Sequence, residues 1–369
     1  MKRKMATKAK QTLTRTQRML AELNKEHGAG TFVHARHARA NIRGSVDSGI
    51  PLLNVLLSGY VSRGWSLGRI YELYGEPDVG KSTLLCMAIA QCQKQLDGLG
   101  CYIDTEGTMT RDRMLALGIN EDALLVCEEI WAEAVLQQIE RVMQKSGRHA
   151  AVIVWDTVAS TRSKAHDGAE LGRGKRAAVA TAMSEGLAML IPTVAKSRTV
   201  VIACNQKRSG AIDGGWHSSR DQESTKGGQA LKFHANCRVR VEFSSDYWRS
   251  IKGVKTHYGF VSRVTASKSK QTASDVPIKL VFQTKGAGRG KFNNALSCLV
   301  TMQMWEIVSK RFDSSGRVAF NGEKYTPAVW EKRYNEDKPF RDSVHTAIER
   351  HFQTAFMGVP YTGDEEEEV

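Results

Sequence analysis

The residues best suited to chemistry lie in one short segment, Gly75-Glu-Pro-Asp-Val-Gly80-Lys81-Ser82. Its spacing fits the phosphate-binding loop G-x-x-x-x-G-K-[ST]. Glycines let backbone N–H groups turn towards anionic phosphates, and the N-terminus of a following helix adds partial positive charge. Lys81 can reach the terminal phosphates, and the Ser82 hydroxyl can hold Mg²⁺. The segment predicts an ATP or GTP site; the alternative is a chance glycine-rich turn.

The elements that flank this loop are the ones that must position it. Gly68–Tyr74 alternates in polarity and predicts a strand, and Thr83–Cys92 predicts a buried helix. A strand, a glycine-rich loop and a helix in this order form the context that the motif requires. The loop residues that we expect to contact nucleotide are Gly75, Glu76, Pro77, Asp78, Val79, Gly80, Lys81, Ser82 and Thr83.

Acidic residues end two further predicted strands. Ala151–Asp156 is an apolar run that ends in a carboxylate, and Cys101–Asp104 is followed closely by Glu106. Ligands of open α/β sheets bind at the carboxyl ends of the strands, so these acids are expected to face the γ-phosphate. Ser82 and Asp156 are the predicted ligands of Mg²⁺. Glu106 is placed to act as general base on the attacking water. The alternative for each acid is a helix cap or a surface charge.

A third strand, Thr199–Cys204, leads into Asn205 and Gln206, and an amide there can contact the γ-phosphate. Two glycine-containing basic loops, 162–176 and 207–228, leave this region and predict contacts with a phosphate backbone. The alternative is two solvated surface loops. The loop residues with the side chains for DNA contacts are Arg162, Lys164, Arg173, Lys175, Arg176, Lys207, Arg208, Trp216, Arg220 and Lys226.

The charge distribution also indicates a polyanionic partner. The formal net charge is +14, and residues 1–45 hold eleven Lys and Arg against two Glu. Such an arm favours nucleic acid, although a solvated, disordered end is the alternative, and an organellar transit peptide is another. Five acids close the chain at residues 364–368, either as a solubilising end or as an internal mimic of DNA. Seven cysteines without a C-x-x-C pair indicate reduced core residues.

Alternating strands and helices predict an α/β fold with a mostly parallel, doubly wound sheet, followed by an antiparallel extension. We expect three parts: a basic N-terminal helical arm at 1–45, a nucleotide-binding core at 46–290, and a small C-terminal α/β domain with an acidic tail at 291–369. No run of bilayer length is evident, so no membrane partner is expected. The predicted helices are 14–25, 82–96, 109–117, 131–145 and 177–196. The predicted strands are 68–74, 101–104, 123–126, 150–155, 199–203, 238–243, 259–267 and 277–283.

The order of these motifs resembles RecA-type DNA strand-exchange recombinases, including the phage UvsX-like branch. The resemblance spans roughly residues 46–330, and its most specific element is Gly227-Gly-Gln-Ala-Leu-Lys-Phe233. Its other motifs are Val46-Asp-Ser-Gly49-Ile-Pro51, the phosphate loop, Ile103-Asp-Thr-Glu106, Val154-Trp-Asp156-Thr, Glu170-Leu-Gly172, Cys204-Asn-Gln206, Lys268-Ser-Lys270 and Asn321-Gly-Glu-Lys324.

The resemblance implies a RecA-like ATPase core and a role for each matching residue. Glu106 matches the catalytic glutamate, and Gln206 matches the γ-phosphate sensor. Lys268 and Lys270 match a lysine pair that completes the ATP site of the neighbouring subunit, and Phe233 matches an aromatic that couples ATP binding to assembly. The two basic loops match the DNA-binding loops, with Gly227 and Gly228 near the strand backbone.

The implied activity is that of a DNA-dependent ATPase that uses ATP and Mg²⁺. It would form helical filaments on single-stranded DNA and pair them with homologous double-stranded DNA. Single-strand-binding and mediator proteins are further candidate partners. The implied location is cytoplasmic, in a bacterial nucleoid or a phage-infected host.

The chain departs from the family pattern near the adenine, where Thr110 and Arg113 replace an Asp and a Tyr. Arg113 can stack on the base by its guanidinium plane. Two alternatives remain open for the function as a whole. One is a ring helicase with the same core, and the other is a recombination mediator that uses ATP as a structural ligand. A ring helicase needs a larger N-terminal assembly domain, and intact Lys81, Glu106 and Asp156 argue against the mediator.

Overall fold

The computed structural model describes residues 14–28, 31–35, 38, 41–164, 174–208, 224–225 and 229–361. The side chains of 174–177, 208, 224 and 225 lie outside this description. The chain divides into two compact units, Met1–Ile42 and Arg43–Val369.

The first unit contains helix α1, Arg15–His27. Its N-terminus is a capping box, in which the Thr14 hydroxyl accepts from the Gln17 backbone and the Gln17 side chain accepts from the Thr14 backbone. This reciprocal pair satisfies two N–H groups that a helix start leaves open. The Asn24 amide then holds Phe32 by two backbone hydrogen bonds of 2.8 Å. The helix predicted at 14–25 is present with these slightly shifted bounds.

The second unit is built on one large sheet. Among the described residues its strand order is β12-β11-β10-β9-β3-β7-β6-β4-β5, and β8 pairs with β7. The strands from β9 to β5 in that order are mutually parallel. The strands of this sheet are β3 Arg69–Gly75, β4 Leu99–Asp104, β5 Leu124–Cys127, β6 Ala151–Asp156, β7 Thr199–Arg208, β8 Ser224–Thr225, β9 Cys237–Ile251, β10 Val254–Ser269, β11 Pro277–Gln283 and β12 Lys291–Asn293.

Helices cover both faces of the sheet, because successive strand residues point to opposite sides. The helices that follow α1 are α2 Pro51–Ser58, α3 Lys81–Leu96, α4 Arg111–Ala116, α5 Ala132–Ser146, α6 Gly174–Lys196, α7 Ala230–His234, α8 Asn294–Met304, α9 Pro327–Glu336 and α10 Lys338–His351. Tyr71 and Leu73 share a buried cluster with α3 on one face of the sheet, and Ile70 shares another buried cluster with α5, α6 and α7 on the other face. A π-helical turn, Phe352–Met357, follows α10.

Two small two-stranded sheets complete the fold. β1 Ser45–Val46 pairs antiparallel with β2 Trp65–Ser66 across the intervening helix α2, and β13 Val318–Phe320 forms a hairpin with β14 Glu323–Tyr325. The β13–β14 hairpin turns at Asn321 and Gly322, both with positive φ, which is typical of an Asn-Gly turn. Residues on both sides of position 290, such as Leu280 and Trp330, belong to one buried cluster. The boundaries at 45 and 290 stay a prediction.

The α/β fold with a mostly parallel sheet is confirmed. The antiparallel extension is confirmed as well: β9, β10 and β11 pair antiparallel to one another, and β9 joins them to the parallel strands through its parallel pairing with β3. The expectation that no run has bilayer length is wrong for Ala178–Lys196 in α6, which is long and apolar enough by length and composition. Core helices of soluble proteins can have the same length and composition. The stripe Met183, Leu187, Leu190 and Val194 of α6 is buried against the sheet.

Candidate nucleotide site

The predicted phosphate loop connects β3 to α3. Gly75 and Gly80 both have positive φ, at 154° and 92°. A Cβ at Gly75 would lie 1.8 Å from the Val241 carbonyl oxygen, and one at Gly80 would lie 2.7 Å from the Phe292 ring. Glycine is therefore required at both positions on steric grounds.

Strands from later in the chain brace this loop. The Glu76 N–H donates to Val241 O, and the Glu76 carboxylate accepts from the Phe243 N–H at 3.0 Å. The Ser262 hydroxyl donates to the Val79 carbonyl at 2.9 Å. These contacts fix the loop backbone between β9 and β10, so its shape does not depend on nucleotide alone.

Lys81 begins α3 and is 8 % exposed. Its ammonium donates to the carbonyl oxygens of Gly75 and Glu76. The half-buried Ser82 follows it. A glycine cradle, an ammonium, a hydroxyl and the helix N-terminus together fit a nucleoside triphosphate with Mg²⁺. For Lys81 to contact a phosphate, its ammonium would have to leave these carbonyl oxygens.

Asp156 and Asp104 lie side by side at the ends of β6 and β4, directly opposite in the strand register. Asp156 is buried and accepts a 2.6 Å hydrogen bond from the Tyr102 hydroxyl. Burial and then the charge of Asp156 raise the pKa of Tyr102. Burial first, and the same charge second, raise the pKa of the Cys204 thiol well above its usual value. The Tyr102 hydroxyl and the Cys204 thiol beside Asp156 are therefore neutral, and a Mg²⁺ ion could compensate the charge of this carboxylate.

Asp104 organises the loop that carries Glu106. Its Oδ1 accepts from the N–H groups of Glu106, Gly107 and Thr108 at 3.2, 2.8 and 3.4 Å. Its Oδ2 accepts from Met109 at 3.1 Å. The sequence reading missed this role, although an aspartate three residues before a glycine is a turn signal.

Glu106 lies exposed where β4, β6 and β7 end. Its Oε1 accepts from the Thr157 hydroxyl at 3.2 Å, the Ser160 hydroxyl at 2.8 Å and the Gln206 amide at 3.4 Å. The structure thus brings Glu106, after β4, into contact with Gln206 on β7. Thr157 and Ser160 were missed, because a hydroxyl just after a strand carries no signal of its own.

Arg113 reaches the start of α3, where its guanidinium lies 3.4 Å from the Thr83 hydroxyl. Thr110 does not face the loop with its hydroxyl but caps α4, accepting from the Arg113 N–H. Both side chains are exposed. The position of Arg113 beside the phosphate loop is compatible with the predicted contact to the base.

Lys268 and Lys270 lie near the end of β10. The Lys268 ammonium donates to the carbonyl oxygens of Lys232 and Phe233 at 2.6 and 2.8 Å, at the C-terminal end of α7. Burial, then the neighbouring charges of Lys270 and Arg238, lower the pKa of Lys268 to about 8. Lys270 is exposed, and Phe233 is 68 % exposed.

The bases of the two predicted DNA loops are anchored to the core. Arg162 and Lys164 are exposed, and the Ser163 hydroxyl and the Lys164 N–H both donate to Glu133. The Lys207 ammonium pairs with Glu242 at 2.8 Å. Lys175 and Arg176 lie in the first turn of α6 and Arg208 ends β7, without described side chains. The predicted contacts outside the described residues are Arg173, Trp216, Arg220, Lys226, Gly227 and Gly228.

Comparison with known proteins identifies similar chains. The RecA N-terminal domain family matches residues 10–284. The chromosomal protein RecA of Lactococcus lactis subsp. lactis (strain IL1403) is 30 % identical over 307 residues, covering 83 % of this chain and 74 % of the relative. Protein RecA of Lactococcus lactis subsp. cremoris (strain MG1363) is 30 % identical over 325 residues, covering 88 % and 79 %. Protein RecA of Francisella philomiragia subsp. philomiragia is 32 % identical over 225 residues, covering 60 % and 59 %.

Asp104→Asn tests the loop that carries Glu106. The amide keeps one acceptor oxygen and turns the other into a donor, so the four N–H contacts cannot all be kept. We expect a loss of about 1–3 kcal/mol in the free energy of unfolding and faster hydrogen exchange at residues 106–109. Asp112→Asn, at an exposed position in α4, is the control and should change stability by a few tenths of a kcal/mol. Unchanged exchange at 106–109 would contradict the assignment.

Proposed function

The chain belongs to the RecA family, and on that premise we propose that it is a DNA-dependent ATPase that forms helical filaments on single-stranded DNA. In this proposal the filament pairs its strand with homologous double-stranded DNA and exchanges strands in recombination and repair. The substrate is ATP, Mg²⁺ is the metal, and the location is cytoplasmic. The observation that carries the proposal is the convergence of Glu106 and Gln206 at the strand ends beside the phosphate loop.

The residues of one subunit supply the chemistry of ATP hydrolysis. The loop N–H groups and Lys81 bind the phosphates, and Ser82 and Asp156 would hold Mg²⁺, which neutralises phosphate charge when it is bound. Glu106 orients the attacking water and takes its proton at Oε1 or Oε2. The Thr157 and Ser160 hydroxyls keep that carboxylate aimed between β4 and β6. Gln206 then contacts the γ-phosphate and responds when it leaves.

DNA binding and assembly follow from the elements attached to this site. Gln206 lies on β7 immediately before Lys207, the first residue of the second basic loop, so a movement of the sensor passes directly into that loop. Lys268 and Lys270 complete the ATP site of the next subunit, which ties nucleotide binding to filament growth. Arg113 contacts the base.

Electron microscopy tests the assembly directly. With ATPγS and single-stranded DNA, the protein should form regular helical filaments, because nucleotide joins neighbouring subunits. Omitting either component is the control and should leave short or no filaments. Closed hexameric rings would instead support a ring helicase, and DNA-bound particles without ATP turnover would support a mediator.

Glu106→Gln tests the general base. The amide fills the same space but cannot accept a proton, so ATP turnover should fall by about 10²–10⁴-fold. Binding of single-stranded DNA in the presence of ATP should persist, as measured by fluorescence anisotropy. Glu336→Gln, on the exposed surface of α9, is the matched control and should retain turnover. A Glu106→Gln protein with normal turnover would remove Glu106 from this role.

The pH dependence of assembly tests Lys268. Its pKa of about 8 means that the ammonium loses its charge as the pH rises from 7 to 9. Nucleotide-dependent filament formation by the wild-type protein should weaken over this range. The Lys268→Met protein should form few filaments at every pH and should show no such pH dependence. Loss of filaments over this pH range would not result from unfolding of the protein. The usual pKa of lysine, 10.5, lies above the pKa of Lys268 in the folded chain, so the unfolded chain binds more protons between pH 8 and 10.5. The contribution of Lys268 to the free energy of unfolding therefore rises with pH in that range. A wild-type pH profile in Lys268→Met would contradict the assignment.

A further inference from the structure

A buried charged cluster lies in the centre of the sheet. Glu72 on β3 and Arg238 on β9 are directly opposite in the parallel register, and Arg238 Nε donates to Glu72 Oε2 at 2.5 Å. Glu72 is fully buried and Arg238 is 5 % exposed. The guanidinium also lies 4.5 Å from the centre of the Tyr74 ring. By strand alternation these side chains share the face of Ile70, on which α7 packs.

The cluster reaches the predicted γ-phosphate sensor through Asn205. The other Glu72 oxygen, Oε1, accepts from Asn205 Nδ2 at 3.0 Å. This contact fixes the orientation of the amide, so Asn205 Oδ1 accepts from the Gln206 N–H at 3.0 Å. Asn205 is fully buried, whereas Gln206 is exposed with its side chain beside Glu106.

The same cluster reaches Lys268 on the other side. Arg238 is the register partner of Lys268 in the β9–β10 ladder. The Tyr74 hydroxyl donates to Ser267 Oγ at 2.8 Å, one residue before Lys268. Lys268 in turn holds the last carbonyls of α7, including that of Phe233. The charged pair therefore lies between Asn205, near the end of β7, and the backbone neighbours of Lys268, near the end of β10.

A gain in folding stability does not by itself account for a buried ion pair at this position. Removing two charges from water costs several kcal/mol per ion, and well-packed apolar residues often do as well. A buried pair does, however, impose a single geometry, because each displaced partner would be left charged and unpaired.

We propose that Glu72 is a positioning residue that fixes the position of Gln206 relative to Lys268. The two nucleotide contacts then respond together when ATP binds. The inference rests on the proposed function, in which Gln206 contacts ATP in its own subunit and Lys268 contacts ATP in the next. Glu72 touches neither substrate nor metal and acts through Asn205 and Arg238.

The test uses changes that avoid an unpaired buried charge. Glu72→Gln combined with Arg238→Gln removes both charges, and Asn205→Leu cuts the link to Gln206 while it leaves the ion pair in place. Thr199→Val, a change of similar side-chain shape at the opposite end of β7 from Gln206, is the control. Each protein is measured for binding of a fluorescent ATP analogue, for ATP turnover with and without single-stranded DNA, and for hydrogen exchange of β7 with and without ATPγS.

The double variant and Asn205→Leu should bind the analogue within about threefold of wild type, since the phosphate loop is untouched. The stimulation of ATP turnover by DNA should fall by about ten- to a hundredfold, because a displaced Gln206 would no longer contact the reacting phosphate in the right geometry. The protection that ATPγS gives to the amides near Gln206 should disappear, whereas Thr199→Val should keep both properties.

Wild-type stimulation and wild-type protection in either folded variant would overturn the inference. If the wild-type protein shows no stimulation by DNA, the proposed function fails instead. The exchange experiment then still decides whether Glu72 positions Gln206, because its readout requires nucleotide but no DNA.

Discussion

The parallel register of four neighbouring strands is the constraint on which the site depends. Gly75 lies opposite Gln206, and Asp104 lies opposite Asp156, so a glycine backbone, an amide and two carboxylates meet at the carboxyl ends of the strands. Side chains alternate between faces with a period of two, and a slip of one residue exchanges them. In β7 that slip would bring the buried Asn205 to the solvent side and carry Gln206 into the core. The hydrogen-bond ladders that join β3, β7, β6 and β4 thus fix the geometry of the candidate site.

The sequence predicts those parts of the site whose signals are local. Glycine spacing identifies the phosphate loop, and apolar runs that end in an acid or amide identify β4, β6 and β7. Contacts between distant segments leave no such signal, which is why the braces at Ser262 and Phe292 were not foreseen. β9 illustrates the same limit. The predicted strand stops at Phe243, where Ser244 and Ser245 end the apolar alternation, yet β9 continues to Ile251 because β10 pairs with it along its length.

The net charge of the chain does not show which Lys and Arg side chains are available to bind a polyanion. Lys207 and Arg240 both lie within ion-pair distance of Glu242, at 2.8 and 3.3 Å. Arg238 is committed to Glu72 inside the sheet. Arg162 and Lys164, by contrast, are exposed at the base of their loop. The structure therefore separates basic residues that maintain the core from those that remain open to a phosphate backbone, which a count of Lys and Arg cannot do.

The braces on the phosphate loop have a consequence for the order in which the protein matures. Val241, Phe243, Ser262 and Phe292 hold the loop, and all of them leave the ribosome long after Gly75–Ser82. At translation rates of about 5–20 residues per second, the interval between Gly80 and Phe292 is roughly 10–40 seconds. A nascent chain thus carries the complete phosphate-binding motif well before the motif has its final shape. The loop therefore reaches its final shape only when β9, β10 and β12 have joined the sheet.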